Sequence, residues 1–67
     1  MNDLEIKKAL FETCYFYEEA GNRLHCSGHK QLSQKFFDMR EGVIAVITLL
    51  HLDEQYDMWK CMKECEK

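Results

Sequence analysis

Apolar positions recur along this chain at steps of three and four, the spacing of one face of an α-helix. The most apolar run, Gly42 to Leu52, lies past the middle, and the stretches on either side are suited to covering it. The pattern divides into three helices, about 3–26, about 29–52 and about 54–65, predicting an all-α fold. The expected architecture is an antiparallel helical hairpin plus a shorter third helix, a three-helix bundle forming one domain over 1–67.

In the first helix one face gathers Ile6, Ala9, Leu10, Thr13, Phe16, Tyr17, Ala20 and Leu24. A second, smaller stripe of Leu4, Phe11 and Tyr15 lies behind it, available to a third helix or to a partner. Asn2 with Glu5 three residues on resembles a capping box. Gly21 falls inside the pattern; because Leu24 stays in phase, the helix is expected to run through it, with Gly21 permitting close approach of a second helix. Gly28 is the expected terminator, with Ser27 placed to cap the second helix.

The expected inner face of the second helix is Leu32, Phe36, Met39, Val43, Val46, Ile47 and Leu50. The opposite side carries Ala45, Leu49 and Leu52, so the middle of this helix is apolar nearly all round. Asp53 is the expected N-cap of a third helix whose apolar stripe is Met58, Cys61, Met62 and Cys65, with Tyr56 and Trp59 off it. Without a break near residue 53, that stripe would continue the second helix in register.

Composition supports helices over sheet: there is no proline and there are three glycines, at Gly21, Gly28 and Gly42. The net charge is −3, distributed as −2 over residues 1–26, +1 over 27–52 and −2 over 53–67. No segment is basic enough for phosphate neutralisation to drive nucleic-acid binding. The apolar run is shorter than the ~20 residues a bilayer requires, and the N-terminal residues lack the pattern of a secretory leader. A cytoplasmic location, reduced thiols, and neither a nucleic-acid nor a membrane partner are expected.

Four cysteines and three histidines raise the question of metal. Cys26, His29, Cys61 and Cys65 would make a tetrahedral zinc set, but in an up-down-up bundle the two pairs lie roughly 18 Å apart along the helices. The same geometry brings Cys14 toward Cys61 and Cys65 as a candidate thiol cluster: buried apolar cysteines, a disulfide, or a soft site completed by Met58 or Met62. His25 and His29 flank the first turn and His51 is expected near the core side of the second helix. There is no phosphate-binding glycine loop or recognisable catalytic triad, so no enzyme activity and no cofactor are expected. Lys30, Lys35 and Arg40 are expected on a solvated face.

What remains is apolar excess. Eight aromatics are more than a core of this size hides, and aromatics favour interfaces. The candidate partner-binding residues are Phe11, Tyr15, Phe37, Tyr56 and Trp59, and a homodimer is expected. The sequence thus points to a protein-binding regulator, adaptor or inhibitor, with a thiol-based metal- or redox-responsive protein as the alternative.

Overall fold

A computed structural model describes residues 2–66. They form three α-helices with no strand among them: α1 (Asp3–Cys26), α2 (Lys30–Leu49) and α3 (Asp53–Cys65). Asn2 caps α1, its Oδ1 accepting from the Glu5 amide at 2.8 Å. α1 runs unbroken through Gly21, where α2 comes closest: a Cβ there would lie 2.6 Å from the Phe37 ring. Ser33, buried on α2, donates from Oγ to the Gly21 carbonyl at 2.7 Å. Pairs such as Gly21 with Ser33 and Glu18 with Arg40 make α1 and α2 antiparallel and closely packed.

The two turns share one solution. After α1, the Gly28 amide donates to His25 O and the His29 amide to Leu24 O. After α2, the His51 amide donates to Thr48 O and the Leu52 amide to Ile47 O. Both are Schellman motifs, which need a left-handed residue at the first position past the cap. Gly28 fills it at φ 86° and His51 at φ 58°. α2 therefore ends at Leu49, three residues earlier than the sequence suggested. His51 belongs to an exposed turn and not to the core side of a helix. Asp53 is the first residue of α3 and Leu52 occupies the cap position, with its side chain against the core. Ser27 also departs from expectation: its hydroxyl donates back to Arg23 O at 2.9 Å, closing α1 instead of capping α2.

A non-glycine residue in the left-handed region costs roughly 1–2 kcal/mol. His51→Gly should therefore raise stability by about 1 kcal/mol, read as a higher urea midpoint at unchanged slope. A lower midpoint would contradict the turn geometry.

All three helices are rotated about their axes relative to the hydropathy pattern. On α1 the inward line is Phe11, Cys14, Glu18 and Gly21, while Ile6 and Phe16 are exposed. On α2 it is Ser33, Arg40 and Ile47 at seven-residue steps, flanked by Val43 and Ile44; Leu32, Met39, Val46 and Leu50 face outward. On α3 it is Tyr56, Trp59 and Lys60, and the stripe of Met58, Cys61, Met62 and Cys65 is turned to solvent. One cause accounts for these rotations: polar Glu18, Ser33, Arg40 and Lys60 occupy inner positions because they satisfy one another or a backbone carbonyl. The core is then small: Phe11, Cys14, Ile47 and Tyr56, with Leu10, Val43, Ile44, Leu52 and Trp59 packed around it.

Candidate functional site

α3 lies along the second stripe of α1. Its Gln55 accepts from Lys7 Nζ at 2.9 Å near one end, and its Lys60 meets Glu18 further along. Between these, Phe11 holds Tyr56 and Trp59 with ring centroids 5.3 and 5.8 Å apart, and Tyr15 meets Trp59 edge-on at 5.8 Å. Such pairs each add about 0.5–1.5 kcal/mol beyond burial.

Glu18 joins the three helices. Its carboxylate lies 2.7 Å from Lys60 Nζ on α3 and 3.4 Å from Arg40 Nη1 on α2. Arg40 also stacks over Phe37 at 5.3 Å and reaches Glu41 at 3.1 Å. It is thus half-buried within the bundle and not on the solvated face its charge suggested. A small cleft of about 200 Å³ between these groups is bordered by Ile47, Asp53, Tyr56 and Asp57. Its cations are already paired with Glu18, and two further carboxylates face it, so it offers no net attraction to an anion.

Beneath the ion cluster, Cys14 and Tyr56 are buried side by side. Burial pushes the Cys14 thiol above its ordinary value of 9.0; the Tyr56 hydroxyl partly offsets this and Glu18 adds to it. Burial, the Cys14 neighbour and Glu18 push Tyr56 well above its ordinary 10.0. Burial lowers Lys60, but the hydrogen-bonded Glu18 carboxylate outweighs it, so the net shift is upward from 10.5. Each group is thus held protonated by the fold, and its stabilisation is complete below its unfolded value and lost as pH rises beyond it. Between neutral pH and about pH 9 these groups leave urea midpoints level, and by about pH 11 the midpoints should fall steeply. Tyr56→Phe should flatten that fall, whereas a level profile in the unmodified protein would contradict the buried placement of these groups.

The expected thiol cluster does not assemble. Cys14 is buried, Cys26, Cys61 and Cys65 are exposed, and all are free. Among the described residues no three of His, Cys, Asp and Glu are placed to hold a metal ion. Cys14 is buried on the inner line of α1 beside Tyr56, while α3, by turning Tyr56 and Lys60 inward, carries Cys61 and Cys65 to the outside.

The expected interface aromatics are likewise redistributed. Phe11 and Tyr56 are core residues, and Phe37 is half-buried against Gly21. Tyr15 and Trp59 are half-buried at the α1–α3 seam. The open apolar surface instead belongs to aliphatic and sulfur side chains. A groove of about 450 Å³ runs between α1 and α3, lined by Leu4, Phe11, Met58, Trp59 and Met62, with Lys7, Lys8 and Gln55 along its edge. Leu4 is 68% exposed, Met58 68% and Met62 66%. The sequence marked Met58 and Met62 as part of the apolar stripe of the third helix but not the groove they form with Leu4.

No helix among the described residues is long and apolar enough to cross a membrane. No family, curated protein or solved structure matches the chain.

Proposed function

We propose that the chain is a protein-interaction module, acting as a regulator, adaptor or inhibitor, that seats a helix of a partner protein in the groove between α1 and α3. The observation that carries this is the groove itself: an aromatic floor of Phe11 and Trp59 with Leu4, Met58 and Met62 standing exposed along it. Contiguous exposed apolar side chains mark interaction surfaces. Methionines, unbranched and polarisable, let such a surface adapt to its ligand. Amphipathic helices dock in grooves of this kind through anchors on one face. Polar groups border the groove: Lys7, which donates to Gln55 at 2.9 Å, and Lys8, which faces Glu12 at 3.9 Å.

The test is capture from the source cell with three tagged chains: wild type, Met58→Glu/Met62→Glu, and Lys30→Glu as a control at an exposed position of α2 outside both apolar surfaces. A protein retained by wild type and the control but lost by the groove variant supports the reading. A protein captured equally by all three overturns it.

A second surface favours self-association. Leu32, Met39, Val46, Leu49 and Leu50 stand exposed on the outer side of α2. Gly42, with open space around it, lets another backbone approach that side. Under this reading the chain is a homodimer through α2, and Leu49→Glu should convert the dimer seen by light scattering to a monomer. A wild-type monomer at all concentrations would contradict it. The exposed free thiols fit a reducing cytoplasm as the working compartment.

A further inference from the structure

The outward face of α3 carries sulfur at every apolar position. Met58, Cys61, Met62 and Cys65 fall within an arc of about 100° at 3.6 residues per turn. All four are exposed, and both thiols are free. Free cysteine is among the most buried residue types, so two on one exposed stripe with two methionines are not explained by packing. The inward face of α3 is supplied by Tyr56, Trp59 and Lys60, so the stripe makes no contribution to the core.

We infer that this face is a binding site for a soft monovalent metal ion, Cu(I), with Cys61 and Cys65 as thiolate ligands and a thioether of Met58 or Met62 completing the set. Cys61 and Cys65 are one turn apart, the spacing at which two side chains on a helix converge on one ion. Helical side chains lean toward the N-terminus, which carries the Cys65 sulfur back over the turn holding Cys61 and Met62. Thiolate and thioether sulfur select Cu(I). Zn(II) is disfavoured because its sites take four nitrogen, oxygen or thiolate ligands, and only two thiolates are available. On binding, each thiol releases its proton to solvent and forms a sulfur–copper bond. Copper enters and stays as Cu(I), so no electron is transferred. The site does not depend on the docking reading, since it needs no second protein.

The test is competition for Cu(I) between the full chain and the chelator bicinchoninate under ascorbate, with native mass spectrometry for stoichiometry. One ion per single chain is expected. Joining two ligands on one frame raises affinity by ~10²–10⁴, so Cys61→Ser and Cys65→Ser should each weaken binding by about 100-fold, while Cys26→Ser leaves it unchanged. At least one of Met58→Leu and Met62→Leu, which conserve volume, should weaken it on the order of tenfold. These positions are exposed, so circular dichroism should show every variant folded. Unchanged affinity in either α3 cysteine variant, an ion shared between two chains, or Zn(II) bound as tightly as Cu(I) overturns the assignment.

Discussion

Phe11→Ala should cost about 3–4 kcal/mol and release α3 before the α1–α2 hairpin melts. Phe11 is 3% exposed and contacts both Tyr56 and Trp59. Deleting its ring removes the aromatic contacts with Tyr56 and Trp59 that seat α3 on α1. α3 has 13 residues, at the ~12–15 residue limit below which an isolated helix is marginal in water, so it stays helical only while docked. The α1–α2 hairpin has its own contacts, among them the Gly21–Ser33 hydrogen bond and the Phe37 ring over Gly21. In urea, Trp59 emission in the variant should shift to its solvent-exposed value before the far-ultraviolet dichroism is lost. Coincident transitions, or a loss below about 1 kcal/mol, would mean that Phe11 does not anchor α3.

Glu18→Ala should cost about 2 kcal/mol, because it leaves Arg40 and Lys60 facing one another without their shared counter-charge. Removing one partner of a fully buried pair costs about 3–5 kcal/mol and of an exposed one at most about 1. With side chains 19%, 25% and 29% exposed, the Glu18, Arg40 and Lys60 cluster lies between these limits. Glu18→Gln keeps the hydrogen-bond acceptor and should lose roughly half as much. The decisive comparison is Glu18→Leu combined with Arg40→Met and Lys60→Met. An apolar replacement of a whole buried ion cluster is often neutral or stabilising, so the triple variant should recover most of what the single one loses. If it is no more stable than Glu18→Ala in urea denaturation, uncompensated charge is not the cause.

The number and rough extent of the helices were legible in the sequence because periodicity, Asn2 and Gly28 all act locally. The rotation of each helix was not. Hydropathy places a helix by its apolar residues, yet the inner line of α2 includes Ser33 and Arg40, and that of α1 includes Glu18. Each reads as surface until its partner on another helix is known. α3 shows the same effect most fully. Its sulfur side chains looked like the core stripe, but Tyr56 and Trp59 have more apolar area to bury and Lys60 has Glu18 to meet, so the helix turns them inward. The early end of α2 was hidden because the left-handed turn residue is His51, where a glycine would have announced the stop. The groove results from these rotations and could not be read without them. The apolar excess that suggested an interface was legible. Its location moved from Phe11 and Tyr56, which the core absorbs, to Leu4, Met58 and Met62.

Trp59, the single tryptophan, lines the groove, which makes its fluorescence a direct report of occupancy. The measurement is its emission during titration with the purified protein that wild type captures, in parallel with light scattering. A saturable blue shift at the same concentrations at which the complex forms, absent in Met58→Glu/Met62→Glu, is predicted. Complex formation with Trp59 emission unchanged would place the docking surface elsewhere and contradict the groove as the functional site.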